Sequence, residues 1–392
     1  MSAPEPVLHE PKPTIGKIFL SFFRLGLTAF GGPAMVAYIK KMAVTREHWI
    51  DEDSFSGGVS FCQMVPGATA MQTAAYVGLR IRGWAGALAS FVGFGLPAFV
   101  IMIILSSLYV QTSTLPASIA IFRGLQVITV AIIASAALSF GRSSLKKWVH
   151  GVIAVIAAGL FFFGVSPILV ILLAGLLGYL FVREELPVSQ SGQTAIDRTV
   201  TRAFIGLAVL TGAIYIVLFL FWRNLFDLAF TMSSIDIFAF GGGFAALPLM
   251  VHQVVDVHAW LDSSTFLNGI ALGQVTPGPI VITATFVGYL VYGLPGAFAA
   301  TFGIFVPSFL VVIGLAPHFD RVRDSPVYHR IFRGILFSFV GLIVSVTIKF
   351  CMGFSCDVPT IILGVGTFAA LVLGAEILWV VIAGLVISYF LF

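Results

Sequence analysis

The stretch Gln63-Met64-Val65-Pro66-Gly67 lies in an apolar part of this sequence, and Gln274-Val275-Thr276-Pro277-Gly278 repeats its pattern about 210 residues later. Proline within a helix removes one backbone donor and clashes with the carbonyl one turn back. Glycine then allows backbone angles that other residues avoid. Each stretch therefore predicts a break between two helical segments.

The composition places these breaks in a membrane. The chain has 392 residues, of which 59% are hydrophobic and 10% charged, and its mean hydropathy is +1.06. Soluble domains carry roughly 25% charged residues. The clearest apolar runs are 83–110, 117–140, 203–222 and 331–350, and each reaches the ~20 residues that a spanning helix needs. We predict an all-α polytopic protein of the lipid bilayer.

Further matches extend the repeat over most of the chain. Ala29-Phe30-Gly31-Gly32 returns as Ala239-Phe240-Gly241-Gly242, and Ile121-Phe122-Arg123-Gly124 returns as Ile331-Phe332-Arg333-Gly334. Such self-similarity indicates two copies of one structural unit. We divide the chain into a disordered leader (1–14), a first repeat (15–182), a linker with an unpaired transmembrane helix (183–222) and a second repeat (223–392).

Each repeat is interpreted as six crossings, some of them broken into half-helices. In the first repeat these are 15–44, 53–81, 84–110, 117–140, 149–164 and 167–182. With the unpaired helix at 203–222 the total is about thirteen transmembrane segments, and the odd crossing inverts the second repeat. If the Pro-Gly segments are re-entrant hairpins instead, the amino terminus lies outside the cell, while the later loops stay on the same side of the membrane as before.

Loop charges support the inversion, because Lys and Arg accumulate in cytoplasmic loops. The first repeat has basic loops at 80–82 and 142–147 and an uncharged turn at 111–116, whereas the second has an uncharged turn at 292–295 and a basic loop at 317–330. The prediction is a multi-pass protein of the inner (cytoplasmic) membrane with its amino terminus cytoplasmic and its carboxyl terminus periplasmic or extracellular.

Inverted repeats with discontinuous helices are typical of secondary transporters that bind substrate near the midplane. No GxxxxGK[ST] phosphate loop occurs, so gradients or the membrane potential must supply the energy. No nucleophile, base and acid form a recognisable set, so an enzyme is not expected. The sequence also predicts no cofactor, no metal cluster and no nucleic acid partner.

The breaks themselves suggest the ligand class. A helix that restarts after a break presents free N–H groups and a positive dipole end, which suit an anion. Amide and hydroxyl side chains flank both breaks, and an aromatic residue precedes each Gly pair; packing of helices by polar side chains is the competing interpretation. The candidate substrate-binding residues are Phe30, Gly31, Gly32, Gln63, Pro66, Gly67, Thr69, Gln72, Phe240, Gly241, Gly242, Gln274, Pro277 and Gly278.

Charged residues within apolar spans complete the candidate set, because they are costly there and often functional. Arg24 is predicted to be a buried cation. Arg123 and Arg333 occupy matching positions near helix ends, where attraction of substrate, a structural pairing and snorkelling all remain open. Asp236 and Glu376 are candidate proton carriers, although neither has a matching acid in the other repeat.

These motifs together resemble the chromate ion transporter family. The family pattern is Phe-Gly-Gly-Pro-Ala, a Trp followed by an acid and Phe, Gln-x-x-Pro-Gly and Gly-x-x-Gly-Ala, and it extends over 30–87 and again over 240–297. The resemblance covers essentially the whole chain. It implies a two-domain oxyanion carrier that exports chromate and confers chromate resistance. The chain departs from the pattern at Ala68, where the second half has Pro279, and at Gly243, where the first has Pro33.

Other functions remain compatible with the sequence. Sulfate resembles chromate in shape and charge, so uptake or exchange of sulfate or another anion is an alternative. Half-helices that meet at the midplane also build pores, so an anion channel is a second alternative. A homodimer, the transport direction and the coupling ion are left open.

Overall fold

The computed structural model describes residues 13–30, 34–182, 198–318, 325–354 and 357–392. Most of the predicted leader, most of the polar linker, and Gly31 and Gly32 lie outside the described residues. Within the described ranges, all regular secondary structure is helical. The expected all-α membrane fold is therefore confirmed.

The helices form two matching series on either side of one unmatched helix. The first series is α1 (Ile15–Thr28), α2 (Ala34–Lys40, continued by a π-helical turn Lys41–Arg46), α3 (Glu52–Met64), α4 (Thr69–Thr112), α5 (Pro116–Ser144), α6 (Trp148–Phe162) and α7 (Pro167–Phe181). The unmatched helix is α8 (Arg198–Phe221). The second series is α9 (Arg223–Phe238), α10 (Gly243–Val251, continued by a π-helical turn His252–Val257), α11 (Ser263–Val275), α12 (Thr283–Leu315, after a 3₁₀ turn Ile280–Ile282), α13 (Pro326–Met352), α14 (Val358–Val372) and α15 (Ile377–Leu391).

The Pro-Gly segments are the tips of helical hairpins. Phe61 of α3 lies against Tyr76 of α4, with ring centroids 6.3 Å apart, and Gly58 leaves room for the same tyrosine ring. On a straight path, residues 58 and 76 would be about 27 Å apart. In the second series, Gly269 packs on Phe286 in the same way. We call these units the first and second Pro-Gly hairpins; of the two alternatives that the sequence leaves open, the hairpin and not the broken span agrees with this geometry.

The helix pairs α1–α2 and α9–α10 also fold back on themselves. Lys17 near the start of α1 forms an ion pair of 2.8 Å with Glu47, just after the π-helical turn that follows α2. Thr231 of α9 and His258 are likewise 3.4 Å apart between Oγ1 and Nε2. We call α1–α2 and α9–α10 the first and second Gly-pair hairpins. The predicted crossing at 15–44 is therefore a hairpin rather than a span.

The long helices α4 and α12 each reverse direction once more. Arg82 and Gly83 have non-helical backbone angles, and Tyr292 and Gly293 repeat them within a few degrees. Gly78 touches the carbonyl oxygen of Gly86, although residues eight apart in a continuous helix are separated by about 12 Å. The short first arm of α4 thus belongs to the Pro-Gly hairpin, and only the second arm is long enough to span.

Five helices in the described ranges are long and apolar enough to cross a membrane: Thr69–Thr112, Pro116–Ser144, Thr199–Phe221, Ile280–Leu315 and Pro326–Met352. This is fewer than the thirteen crossings expected, because the remaining apolar helices are short. Large apolar side chains of α8, including Ile205, Val209 and Leu220, are exposed. Apolar surface of this extent needs lipid around it.

The two series interlock. Helix α5 packs on α14 and α15 of the second series, while α13 packs on α6 and α7 of the first. Glycine makes these contacts close: Gly341 of α13 meets the carbonyl oxygen of Ala154, and Gly334 meets that of Ala174. Small residues allow such approach of helix backbones where lipid provides little driving force for association. The centre of the molecule is consequently built by both series.

Candidate anion site where the hairpin tips meet

The hairpin tips of the two series are joined by a reciprocal pair of backbone hydrogen bonds. Gly67 N–H donates to the carbonyl of Ala239 at 2.9 Å, and Gly278 N–H donates to the carbonyl of Ala29 at 3.0 Å. Gly67 and Gly278 have φ values of 119° and 115°, which favour glycine. Each Pro-Gly tip therefore rests on the Gly-pair hairpin of the other series.

A cavity of about 930 Å³ opens beside the first Pro-Gly tip, and we call it the wide cavity. Its lining comes from both series: Gln63, Ala68 and Thr69 from the first, and Gly241, Gly242, Gly243 and Pro279 from the second. Lys40, Ser143 and Ser144 also line it. Four of the sequence-predicted candidates, Gln63, Thr69, Gly241 and Gly242, thus line one cavity, although they are distant along the chain.

Two helix N-termini from different series face this cavity. Helix α4 begins after Ala68 and α10 begins after Gly242, and neither capping residue supplies a side-chain hydrogen bond. Thr69 Oγ1 lies 3.3 Å from the position that a Cβ on Gly242 would occupy. By contrast, the side chains of Thr14, Asp51 and Asp262 cap α1, α3 and α11. The first N–H groups of an uncapped helix remain available to a ligand.

Neutral side-chain donors lie beside these helix ends. Gln63 is exposed to the wide cavity, and the Thr69 hydroxyl forms no hydrogen bond with the described residues. Gln72 is fully buried, and its Nε2 donates to the carbonyl of Pro66 at 2.5 Å. Gln72 therefore braces the Pro-Gly tip rather than lining the cavity. Its Oε1 finds no partner within the described part of the chain.

The second Pro-Gly tip has a different environment. Pro277 and Gly278 are buried, and the 3₁₀ turn Ile280–Ile282 precedes α12. Gln274 is only 9% exposed and its Nε2 has no partner among the described residues. Gln63 and Gln274 correspond in the repeat, yet only Gln63 lines the wide cavity. The two breaks are therefore not equivalent.

The aromatic candidates lie near the tips. Phe240 is half-buried, and its ring centroid is 6.2 Å from that of Phe332, which lines the wide cavity. Phe30 is half-buried at the end of α1. Gly31 and Gly32 lie outside the described residues, so their predicted role stays a prediction.

The predicted cations do not join this site. Arg24 is exposed, so the expectation of a buried cation is wrong; α1 buries Ile18, Phe22 and Gly26, and Arg24 falls on the opposite face of that stripe. Arg123 is half-exposed and forms an ion pair with Asp357 at 2.6 Å. Arg333 is exposed on α13. None of these arginines lines the wide cavity.

A second cavity, of about 400 Å³, lies at the opposite end of α5, and we call it the narrow cavity. Gln126 Nε2 donates to Ser264 Oγ and to Asn268 Oδ1, both at 2.8 Å. Asn268 Nδ2 in turn donates to the hydroxyl of Tyr109 at 3.1 Å. No sequence pattern predicts this network, because its members come from α4, α5 and α11 and share no local motif.

A buried acid supports the first Pro-Gly tip. Asp236 is 1% exposed, and its carboxylate accepts hydrogen bonds from Ser308 N–H at 2.7 Å and Ser308 Oγ at 2.9 Å. The same Ser308 oxygen accepts the N–H of Ala68 at 3.1 Å. Proline has no N–H to donate, so this bond accounts for Ala68 where the second half has Pro279.

Comparison with known proteins identifies the family. The chromate transporter family model matches residues 16–179 and again 226–389. An uncharacterised transporter of Methanocaldococcus jannaschii is 39% identical over 96% of this chain and 94% of its own length. The chromate transport protein of Pseudomonas aeruginosa is 30% identical over 92% of this chain and 86% of its own. That of Cupriavidus metallidurans is 28% identical, with 95% and 93% covered.

No solved structure matches the chain. The family assignment therefore comes from sequence comparison, and the site geometry comes from the structure described above. The double match falls on the two helix series and leaves out α8. The predicted family resemblance is therefore confirmed, and the chain belongs to the chromate transporter family.

Proposed function

We propose that this protein is a secondary transporter that exports chromate through an anion site at Thr69 and Gly242. The observation that carries the proposal is the meeting of two uncapped helix N-termini from different series in one cavity. Relatives named chromate transport proteins support chromate as the substrate.

The chemistry of this site suits a dianion that must be released again. Helix N-termini supply partial positive charge and backbone donors, and the Thr69 hydroxyl and the Gln63 amide add neutral donors. Lys40 is the cation at the cavity wall, and it forms an ion pair with Glu52. Hydrogen bonds from neutral groups replace hydration without the strong hold of an unpaired cation. The site can therefore bind the dianion and also release it.

The proposed direction of transport rests on the residues that line the wide cavity. They include Ser143 and Ser144, next to the basic loop that begins at Arg142. Basic loops favour the cytoplasm, so we place the mouth of the wide cavity there. Loading from the cytoplasm is the first step of export. With α8 as one additional span, the second series has the inverted orientation, and the hairpin tips meet near the midplane.

A carrier is favoured over a channel because a side-chain network joins two helices at the narrow end. The hydrogen bonds of Gln126 with Ser264 and Asn268 hold α5 against α11 there, and we propose that breaking them opens this end in a second state. Alternation between two states in which different ends are open is the behaviour of a carrier. A pore would need both ends open at once.

The test is chromate flux into liposomes that contain the purified protein. We expect saturable flux that sulfate inhibits by competition, and we expect Thr69→Val to reduce it at least about 10-fold, since a site built to donate hydrogen bonds discriminates strongly. Flux that rises linearly with chromate concentration would indicate a channel and overturn the carrier.

Two controls accompany this test. Thr112→Val removes a hydroxyl that donates to its own helix at Leu108, outside both cavities, and should leave flux unchanged. Gln274→Ala and Gln63→Ala compare matched glutamines, and we expect the larger loss for Gln63 because it lines the cavity. Unchanged chromate flux in both Gln63→Ala and Thr69→Val would remove the site assignment.

A further inference from the structure

The buried carboxylate of Asp236 has no role in holding an anion, and its surroundings indicate a different ligand. No Lys, Arg or His in the described part of the chain forms an ion pair with it. Its two hydrogen bonds both come from Ser308. An unpaired charge in a membrane interior is costly and usually functional. A proton neutralises such a carboxylate without the several further oxygen ligands that a metal cation needs.

The position of Asp236 connects such a proton to the anion site. Ser308 links the carboxylate of Asp236 to the N–H of Ala68, and Ala68 directly precedes Thr69. One hydroxyl thus separates the carboxylate from the helix end that faces the wide cavity. The three linked groups belong to α9, α12 and the first Pro-Gly tip, so both series take part.

The charge state of Asp236 determines what the Ser308 hydroxyl can do. When the carboxylate is ionised, the hydroxyl donates to it and keeps a lone pair for the N–H of Ala68. When the carboxyl is protonated, it carries a hydrogen of its own and no longer requires the hydroxyl as a donor. The contact that fixes the first Pro-Gly tip is thereby weakened. Protonation and movement of the hairpin are coupled through this single side chain.

The second Pro-Gly tip lacks this arrangement. In the repeat, Asp236 corresponds to Gly26 and Ser308 corresponds to Ala98. Gly26 packs on the backbone of Phe94, and Ala98 lies under Gly278. An apolar contact therefore replaces the acid and the hydroxyl. The asymmetry gives one proton site for each chain.

Titratable groups also occur on α9 and on the elements that contact it. On α9 itself, Arg223 and Asp227 lie at the far end and pair with each other at 3.3 Å, and His258 Nε2 lies 3.4 Å from the hydroxyl of Thr231. Helix α8 contributes Tyr215, which hydrogen-bonds Ser233. Helix α10 carries no titratable residue, and α12 carries Tyr289 and Tyr292 in its first arm. Among the described residues, Asp236 is the acid placed at the tips.

We infer that Asp236 is the proton-binding site that couples chromate export to the proton gradient, an inference that rests on the proposed transport function. In each cycle an O–H bond forms at the carboxylate with a proton from the external side. The same bond breaks when the proton leaves to the cytoplasm. Chromate moves outward in the same cycle, and no redox step is involved.

The test compares two kinds of chromate flux in liposomes. Net flux driven by an imposed pH gradient requires the proton, whereas exchange of labelled for unlabelled chromate does not. We expect Asp236→Asn to retain exchange and to lose at least about 10-fold of the gradient-driven flux, as for removal of a group essential to one step. Asp227→Asn, an exposed acid on the same helix, is the matched control and should retain both fluxes.

The outcomes separate the two proposals. Absence of saturable chromate exchange in the wild-type protein would overturn the transport function itself. Wild-type exchange combined with net flux that ignores the pH gradient, or gradient-driven flux that persists in Asp236→Asn, would overturn only the proton site. If Asp236→Asn does not insert, Ser308→Ala serves instead. Reduced gradient-driven flux with intact exchange supports the coupling, and unchanged gradient-driven flux refutes it.

Discussion

The wide and narrow cavities lie at opposite ends of α5 and are built by corresponding helices, yet one holds about 930 Å³ and the other about 400 Å³. The motif Ile-Phe-Arg-Gly aligns Gln126 with Leu336, and the repeated Trp-x-Asp aligns Asn268 with Gly57. At the narrow end, Gln126 and Asn268 are hydrogen-bonded. At the wide end, the corresponding leucine and glycine cannot form such a bond.

The repeat thus supplies the architecture, while a few polar substitutions provide side-chain hydrogen bonds across one end and not across the other. In a site shielded from water, each hydrogen bond contributes about 1 kcal/mol net. A small network can therefore set the balance between two states that share the same helices. The comparison predicts that variants of the wide cavity affect binding, whereas variants of the narrow end affect access.

The largest effect is expected from filling the wide cavity at Gly242. Gly242 has φ +97°, and a Cβ there would lie 3.3 Å from Thr69 Oγ1. Gly242→Val would strain the backbone by about 1–3 kcal/mol and place methyl groups between the two helix N-termini. We expect chromate flux in liposomes to fall at least about 10-fold.

Gly206→Val on α8 is the matched control, because an added side chain there meets nothing within 4 Å. It should insert and transport as the wild-type protein does. Normal flux through Gly242→Val would show that substrate does not pass the wide cavity, and the comparison of the two ends would lose its functional meaning.

The sequence predicts the parts of this fold that depend on local chemistry. The Pro-Gly breaks and the repeat follow from residue types at fixed spacing, and the caps that the structure shows at Asp51 and Asp262 use a residue type favoured at helix starts. The hydrogen bond from Ser54 N–H to Asp51 also lowers the pKa of that carboxyl. Such features need no knowledge of distant contacts.

Chain direction after each break could not be predicted in the same way. An apolar segment of thirteen residues can continue through the bilayer or fold back, and its hydrophobicity is the same in both cases. Packing contacts, such as that of Gly58 with Tyr76, determine whether the segment continues or folds back. The distant pairing of Asp236 with Ser308, 72 residues apart, has likewise no local signal.

The candidate site also contains residues that a local sequence signal predicts and residues that only distant contacts identify. Gln63 and Thr69 were found because they flank a break, and both line the wide cavity. Arg24 was selected for its apolar neighbours in sequence, but the face that α1 buries excludes it. Gln126 and Asn268 were missed because each is an ordinary polar residue until its partner is known.

A smaller effect is expected at the narrow end, where Gln126→Leu installs the residue of the wide end. The variant removes the bonds to Ser264 and Asn268, worth about 1 kcal/mol each. Access from the narrow side should rise by roughly 10-fold. We would measure maleimide labelling of Thr69→Cys, in a background with the other cysteines replaced by serine, from each side of oriented vesicles.

Gln126→Leu should change the labelling rate in opposite directions on the two sides, which distinguishes a shift between states from a general loosening. Labelling of Thr69→Cys should become faster from the narrow side and slower from the wide side. Gln111→Leu is the control, because Gln111 bonds only Ser107 near the same end. Faster labelling from both sides would indicate general loosening, and unchanged labelling would mean that the Gln126 network does not close the narrow end.

The smallest effect is expected from the ion pair between Arg123 and Asp357 at the same end. Both side chains are partly exposed, at 45% and 35%, and exposed pairs contribute little. We expect Arg123→Gln to raise labelling of Thr69→Cys from the narrow side by no more than about two-fold. Exchange of the two charges, in Arg123→Asp with Asp357→Arg, should restore the wild-type rate.

The pH dependence of labelling gives a second test of how much the Arg123–Asp357 ion pair contributes to closing the narrow end. Hydrogen bonds from Thr360, followed by the charge of Arg123, lower the pKa of Asp357 below its ordinary 3.8. A lowered carboxyl pKa means that the ionised pair is fully present above the ordinary value and is lost only as the pH falls through the lowered one. The ratio of the labelling rates of Arg123→Gln and wild type should therefore be the same at about pH 6 and about pH 8, since the ionisation of the labelled thiol cancels in the ratio. A ratio that changes over this range would assign the closure of the narrow end to some other titrating group, and the ion pair would have no part in it.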